Sequence, residues 1–212
     1  MNQILFPDPE LADDDGLLAF GGDLKPDTLL QAYSAGIFPW SVKPISWWSP
    51  DPRAIFELDR FRLSTRMARL YRSGRFAFSI DKCFVEVMHG CARPAPGRET
   101  TWISPEFIRA YSRMHELGHA HSIEVLSGGQ LVGGIYGIAI GGLFAGESMY
   151  SAVSNASTMG LMFLINHLNS RGFQLFDSQV LTPHTSRLGA VEISRAQYLA
   201  RLKAAINLKC MF

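Results

Sequence analysis

The sequence predicts an α+β fold in which a mixed β-sheet is flanked by helices and preceded by a small N-terminal domain. After residue 75, strand-like apolar runs and helical patterns follow one another in the order β-α-α-β-β-β-α-β-α. This order is typical of a layered α+β domain. The first 53 residues are instead rich in prolines, glycines and tryptophans. We therefore expect a small domain at residues 1–53 and a larger domain at residues 54–212.

The composition narrows the class of protein. With 47% hydrophobic and 18% charged residues, the 212-residue chain can bury a substantial core. A net charge of +1 does not indicate a nucleic-acid partner, so any such partner must be recognised by a local basic patch. The three cysteines contain no C-x-x-C pair, so we expect neither disulfides nor a zinc knuckle. The chain has no apolar run of membrane-spanning length and no secretion signal, which favours a soluble cytoplasmic protein.

The N-terminal segment combines one short helix with a tryptophan-rich extended stretch. A helix is predicted from Pro26 to Ser34, with Gly36 just beyond its end. Three of the four tryptophans then fall within residues 40–48, among prolines that disfavour a helix. These tryptophans form either an aromatic core under a long loop or a stacking surface for a nucleotide base.

Arginines dominate the segment from residue 57 to residue 75. Ser64 is suited to cap a helix that stops at Gly74. The spacing of Arg62, Arg66 and Arg69 predicts that they share one helix face. This face is either solvated or a strip that binds phosphates.

The middle of the chain predicts one strand and two helices. Residues 76–80 have the pattern of a strand, and Asp81 is suited to cap a helix that runs to about His89. Ser104 begins a second helix with proline at its first position, and Gly118 ends it. The remaining predicted elements are strands at 121–126, 130–140 and 142–150, a helix at 154–171, a strand at 173–179, and a last helix capped by Ser194 and Gln197.

The glycine-rich stretch at residues 133–150 is the candidate centre of the site. Gly141 and Gly142 predict a hairpin turn between two strands. Glycines inside strands often mark the close approach of a ligand or of another backbone. The stretch contains one acidic residue, Glu147, and an unpaired buried charge would be costly. We expect this stretch and residues 173–179 to lie side by side and to build one site.

The order of elements resembles that of the GCN5-related N-acetyltransferases. An acetyl-CoA enzyme of that class would carry a Q/R-x-x-G-x-G/A loop after the strand that ends at Tyr150. This chain has SAVSNASTMG there. We therefore expect the fold without acetyl-CoA, although an N-acetyltransferase stays an alternative.

Eight segments resemble the leucyl/phenylalanyl-tRNA–protein transferase family, and the match runs from about residue 14 to residue 200. They are GGDLKPDTLLQAYSAGIFPW, WWSPDPRA, TWISPEFIRAY, HELGHAHSIEV, LVGGIYG, LFAGESMYS, NAS and DSQVLTPHT. The resemblance implies transfer of leucine or phenylalanine, less often methionine, from aminoacyl-tRNA to the N-terminal Arg or Lys of a protein, which marks that protein for degradation. It implies no cofactor, no metal and no membrane, and we expect a monomer.

The same resemblance assigns roles to individual residues. The catalytic set is Glu147, Asp177 and Gln179. The residues implied to hold the terminal adenosine of the tRNA are Trp40, Trp102, Tyr33 and Tyr111. The implied pocket for the amino-acid side chain consists of Ile135, Phe144, Leu161, Leu164 and Leu168. The implied contacts to tRNA phosphates are Arg62, Arg66, Arg69, Arg72 and Arg75. The family often has cysteine where this chain has Ser178.

The chemistry leaves several roles open. The attacking amine must be neutral, and a free α-amino group has a pKa near 8. Asp177 and Gln179 lie two residues apart on one strand, so we expect Gln179 to contact the amine and Asp177 to orient it. Glu147 would bind either the donor's ammonium or the acceptor's basic side chain. Alternatively, the tRNA ribose hydroxyl carries the proton, or the chain is a non-catalytic RNA-binding module.

Overall fold

Two β-sheets organise the computed structural model, which describes residues 5–62, 64–94 and 100–212. The small sheet contains β1 (Leu17–Phe20), β2 (Phe38–Val42) and β3 (Ile45–Trp48) in the antiparallel order β1-β3-β2. The large sheet contains β4 (Arg53–Phe56), β5 (Ala77–Ile80), β6 (Ala120–Ser127), β7 (Gln130–Ile140), β8 (Leu143–Ser151), β9 (Leu175–Gln179) and β10 (Val191–Ile193). Its order is β10-β4-β9-β8-β7-β6-β5.

Seven α-helices accompany the sheets in the described part of the chain. They are α1 (Pro26–Ser34), α2 (Thr65–Arg72), α3 (Phe84–Ala92), α4 (Pro105–Glu116), α5 (Ala156–Ser170), α6 (Pro183–Arg187) and α7 (Arg195–Ala205). The predicted mixed α+β class is confirmed, and the separate three-stranded sheet fits the predicted small N-terminal domain, although its strands were not predicted. None of the helices in the described ranges has the length and apolarity needed to cross a bilayer.

Helix ends with a local capping signal lie where the sequence predicts them. The Ser104 side chain accepts a hydrogen bond from the Phe107 amide at the start of α4, and Gly118 beyond its end has a φ of +77°. Ser194 and Gln197 form the predicted capping box of α7. The helix at Pro26–Ser34 is confirmed at both ends.

Three predicted details are wrong. Asp81 does not cap α3. Its carboxylate instead accepts a hydrogen bond from the Ser122 backbone amide and forms a hydrogen bond with the His121 ring. Arg62 does not share a helix face with the later arginines, because α2 begins only at Thr65. Helix α6 and strand β10 are absent from the order predicted after residue 75. Strand β4, which precedes that range, was not predicted either, and it joins the large sheet by pairing with β9.

The predicted hairpin and the neighbouring strand are confirmed. β7 and β8 pair antiparallel up to Ile140 and Leu143, on either side of the two-glycine turn. β9 lies parallel to β8, with Phe144 opposite Phe176 and Ala145 opposite Asp177. The two stretches that were expected to form one site are therefore neighbours in the sheet.

Other parts of the protein, rather than a ligand, pack against most of the strand glycines. A Cβ at Gly134 would lie 2.8 Å from Val87 of α3, and a Cβ at Gly133 would lie 2.8 Å from Ala156 of α5. At Gly137 the Phe144 ring and the Ala145 carbonyl oxygen fill the space that a Cβ would need. These glycines let helices and side chains pack tightly on both faces of the sheet.

We predict that Gly137→Ala destabilises the fold by ~3 kcal/mol. The new methyl group would lie 2.3 Å from the Ala145 carbonyl oxygen, which is backbone and cannot move aside. Gly118→Ala is the matched control, because only its positive φ is unfavourable, at a cost of ~1 kcal/mol. Urea unfolding followed by circular dichroism measures both values. Equal losses in the two variants would contradict the packing explanation.

Candidate functional site

A cavity of about 340 Å³ lies where β8 and β9 part. Pairing between these strands ends at Ala145 and Asp177, so the residues that follow on each strand form two walls. The lining consists of Phe38, Pro39, Trp40, Phe56, Trp102, Ile135, Gly146, Glu147, Ser148, Met149, Leu161, Phe176, Ser178, Gln179, Val180, Thr182, His184 and Thr185. One part is therefore apolar and aromatic, and the other presents a carboxylate, an amide and hydroxyl groups.

Glu147 enters this cavity from a β-bulge. Tyr136 lies opposite Ser148, whereas the next residue, Gly137, lies opposite Gly146, so Glu147 is the additional residue of β8. A bulge changes the direction of a side chain and bends the strand, and it is common beside active sites. Here the bulge coincides with the point where β8 leaves β9.

Three neutral groups donate hydrogen bonds to the Glu147 carboxylate. The Tyr33 hydroxyl and the Gln179 Nε2 donate to Oε1 at 2.7 and 2.8 Å, and the Tyr111 hydroxyl donates to Oε2 at 3.2 Å. The two tyrosine hydroxyls also hydrogen-bond to each other. Glu147 is only 8% exposed. Burial raises its pKa to about 7, against the opposing effect of the three hydrogen bonds.

Asp177 faces a different set of partners. Its Oδ1 accepts hydrogen bonds from Arg53 Nε at 2.9 Å and from the Gln179 backbone amide at 2.8 Å. Its Oδ2 accepts from Arg53 Nη2 at 2.7 Å and from the Tyr198 hydroxyl at 2.8 Å. Asp177 is 1% exposed and is not part of the cavity lining. The carboxylate therefore has two donors on each oxygen and no surface toward a substrate.

Gln179 alone of this pair reaches the cavity. Its backbone has a φ of +64°, which ends the strand and breaks the alternation of side chains expected for β9. Its side-chain amide points to Glu147. Of the two residues expected to act on a substrate amine, only Gln179 lies at the cavity, and Asp177 accepts a hydrogen bond from the Gln179 backbone amide.

The four aromatic residues expected around an adenosine divide into two pairs. Trp40, which is 39% exposed, and Trp102 both line the cavity. Tyr33 and Tyr111 are buried behind Glu147, with 1% and 0% exposure, and are not part of the lining. The structure therefore gives these tyrosines a contact with Glu147 and no surface for a base.

The five predicted pocket residues also divide. Ile135 and Leu161 line the cavity. Phe144, Leu164 and Leu168 are fully buried in the hydrophobic cluster behind it. The Phe144 ring packs edge-on against Phe176, a lining residue, with the ring centres 5.4 Å apart. These three residues thus support the cavity wall rather than form its surface.

The five predicted phosphate-binding arginines are all exposed. Arg66, Arg69 and Arg72 lie on α2, whereas Arg62 precedes the helix and Arg75 follows it. Arg62 donates to the carbonyl oxygens of Asp59 and Phe61. Among the described residues, none of the five forms a salt bridge. Their positive charges are available to an external anion.

Several lining residues were assigned no role from the sequence. Phe56 and Met149 extend the apolar wall, and Thr182, His184 and Thr185 form the polar rim near α6. The Thr182–Thr185 capping box with proline at the first helical position is a local signal that could have revealed α6. Burial and the nearby Arg187 lower the pKa of His184. The described residues contain no cluster of three or more metal-ligand side chains.

We predict that Glu147→Gln changes how stability depends on pH. The ordinary pKa of this carboxyl is 4.5 and its folded value is about 7, so the folded protein binds the additional proton between these values. The stability contributed by protonated Glu147 is complete below pH 4.5 and is lost as pH rises through 7. As pH rises through that window, the unfolding free energy of the glutamine variant should increase relative to that of the wild type, by at most ~1.4 kcal/mol per pH unit. Urea unfolding across that window measures this, and a constant difference would contradict it.

Comparison with known proteins identifies the chain at the level of family. The leucyl/phenylalanyl-tRNA protein transferase family matches residues 55–203, and the N-terminal domain of that transferase matches residues 22–51. A solved structure, that of L-PGS from Bacillus licheniformis, has a TM-score of 0.46 and 15% identity, and covers 75% of this chain and 52% of that chain.

Curated relatives are much more similar in sequence. A leucyl/phenylalanyl-tRNA–protein transferase of Shewanella sp. (strain W3-18-1) is 51% identical over 201 residues, which cover 93% of this chain and 85% of the relative. That of Anaeromyxobacter sp. (strain Fw109-5) is 49% identical over 208 residues, with coverage of 97% and 88%. This chain belongs to the leucyl/phenylalanyl-tRNA–protein transferase family.

Proposed function

We propose that this protein transfers leucine or phenylalanine, and less often methionine, from aminoacyl-tRNA to the N-terminal Arg or Lys of acceptor proteins. The product is a new peptide bond at the N-terminus, which marks the acceptor for degradation. The observation that carries the proposal is the hydrogen bond between buried Glu147 and half-buried Gln179, beside an apolar cavity with two tryptophans in its lining. The chain is also about half identical to curated transferases over most of its length.

We further propose that residues 54–212 form an acetyltransferase-like domain and residues 1–53 a smaller N-terminal domain. A seven-stranded mixed sheet with a parallel pair, β8 and β9, that parts at the cavity supports this assignment. The segment from the last residue of β8 onward, SAVSNASTMG, lacks the glycine pattern of a pyrophosphate loop. The proposed donor is therefore aminoacyl-tRNA and not acetyl-CoA.

The apolar part of the cavity is the proposed site for the donor's side chain. Phe56, Ile135, Leu161 and Phe176 line it. Burial of an apolar side chain gains roughly 0.8 kcal/mol per CH₂ group, which favours leucine, phenylalanine and methionine over small or polar residues. A volume of about 340 Å³ is at the lower end of small-ligand sites, and is suited to one amino acid on its ester.

The two lining tryptophans are the proposed platform for the terminal adenosine. Stacking of a base on an aromatic ring contributes roughly 1–3 kcal/mol. Trp40 comes from β2 of the N-terminal sheet, and Trp102 lies shortly before α4. Adenosine between them would place the aminoacyl ester in the cavity that both residues line.

Peptide-bond formation requires a neutral amine and a proton acceptor. The new C–N bond forms as the ester C–O bond breaks, and the amine's proton must reach the ribose oxygen that leaves. Asp177 has two donors on each oxygen and is buried, so it is not the acceptor in this proposal. The tRNA ribose hydroxyl carries the proton, Gln179 orients the amine, and ionised Glu147 binds a substrate ammonium group.

The transfer assay tests the proposed function. We expect the protein to move labelled leucine from Leu-tRNA to a peptide with N-terminal Arg, but not to the same peptide with an acetylated N-terminus. Trp40→Ala should raise the KM for Leu-tRNA about 10-fold through loss of stacking. Tight tRNA binding without transfer would instead support a non-catalytic RNA-binding module. Modification only in the presence of acetyl-CoA would support an N-acetyltransferase.

The arginines of α2 provide a separate prediction. If Arg66, Arg69 and Arg72 contact tRNA phosphates, each alanine substitution should make the negative slope of log association constant against log [salt] shallower by about 0.7–0.9. Arg113→Ala is the matched control, since that arginine is already paired with Glu116 at 2.7 Å. Filter binding of Leu-tRNA from low to high salt measures the slopes. An unchanged slope in all three α2 variants would exclude this strip as the phosphate contact.

A further inference from the structure

Arg53 lies at the junction of three parts of the molecule. It is 1% exposed, and its guanidinium lies 4.7 Å from the centre of the Phe38 ring and 4.4 Å from the centre of the Tyr198 ring. Its Nη1 donates to the Gly36 carbonyl oxygen at 3.1 Å. Gly36 and Phe38 belong to the N-terminal region, whereas Tyr198 belongs to α7. The remaining guanidinium nitrogens hold Asp177 of β9.

Asp177 connects Arg53 and Tyr198 to Gln179, a residue that lines the cavity. The hydrogen bond from the Gln179 backbone amide to Asp177 Oδ1 connects the buried pair with a residue whose side chain lines the cavity. Gln179 has a φ of +64°, a conformation that is unfavourable for a residue other than glycine and persists only when its surroundings hold it. In this conformation the side-chain amide reaches Glu147 Oε1 at 2.8 Å.

We propose that Arg53 and Tyr198 are positioning residues for the transfer reaction, and that they act through Asp177 to hold Gln179 in its left-handed conformation. This inference rests on the proposed function for its kinetic consequence. Neither residue lines the cavity, so neither contacts substrate directly. Their contribution is to orient the side-chain amide of Gln179, which faces the attacking amine in the proposed function.

The two residues should differ in what they affect. Arg53 also contacts Gly36 and Phe38, and Phe38 lies two residues before Trp40 on β2. Arg53 therefore links the proposed adenosine platform to Gln179. The Tyr198 hydroxyl, in contrast, hydrogen-bonds only with Asp177 and Arg53 within the described part of the chain.

The test is a double-mutant cycle between this pair and Gln179. Tyr198→Phe keeps the ring against Arg53 and removes only the hydroxyl, so we expect kcat to fall about 10-fold with the KM for Leu-tRNA unchanged. Arg53→Lys loses the two-pronged contact with Asp177 and should lower kcat and raise that KM. In a Gln179→Ala background both kcat effects should disappear, because the group that they position is gone. Equal effects in both backgrounds would overturn the proposal in favour of a general structural role.

Arg195→Lys is the matched control. Arg195 is also a buried arginine that ties α7 to the N-terminal segment, through Ser49, but it does not contact Asp177. Any effect of this substitution on kcat should be the same in the wild-type and the Gln179→Ala backgrounds, after correction for stability measured by urea unfolding. An effect that differs between the two backgrounds would contradict the specific role of Arg53.

A measurement without substrate separates this proposal from the proposed function. Hydrogen exchange of the Gln179 backbone amide, followed by NMR, reports the bond to Asp177 directly. Tyr198→Phe should speed this exchange at least several-fold while core amides of β7 stay protected. Unchanged exchange would overturn the positioning role even in an active enzyme. If the wild type transferred no leucine, the proposed function would be rejected. The exchange result would still show whether Tyr198 maintains the hydrogen bond between the Gln179 backbone amide and Asp177.

Discussion

A buried ion pair between Arg53 and Asp177 is the interaction on which the site depends. Taking two charges out of water is costly, and their attraction compensates only when geometry and additional hydrogen bonds are favourable. Here the two groups meet through a two-pronged contact, and Tyr198, Gly36 and the Gln179 amide satisfy the remaining positions. Strands β4 and β9 and helix α7 are thereby held in one arrangement, with the N-terminal region attached.

The two buried carboxylates of this region have opposite environments. Asp177 faces a cation and is fully occupied by its partners, whereas the groups that donate hydrogen bonds to Glu147 in the described ranges are all neutral. Glu147 therefore keeps an unbalanced charge when it ionises, and burial raises its pKa to about 7. A substrate ammonium would supply the missing positive charge. The same chemical group is thus paired with a cation in one place and has only neutral partners in the other, which is the arrangement that the proposed function uses.

Local signals account for the parts of the structure that the sequence could predict. Helices with a capping serine and the hairpin with a Gly-Gly turn are determined by neighbours in the chain, and the prediction located them well. Contacts between distant residues carry no such signal. Arg53 and Asp177 are 124 positions apart, and an arginine in a tryptophan-rich loop region gives no indication that it is buried. Likewise, spacing alone could not show that Tyr33 and Tyr111 face Glu147, or that strand glycines receive helices.

The position of Tyr198 in the chain has a consequence for how the site comes into existence. Glu147 is held by a residue near the beginning of the chain, Tyr33, and Asp177 by a residue near its end, Tyr198. Contacts between residues so far apart in the chain slow folding, because loop closure costs entropy before the contact stabilises the fold. A chain emerging from the ribosome has no complete site until α7 has been synthesised and has docked. The geometry around Glu147 and Asp177 therefore exists only when widely separated parts of the chain have folded together.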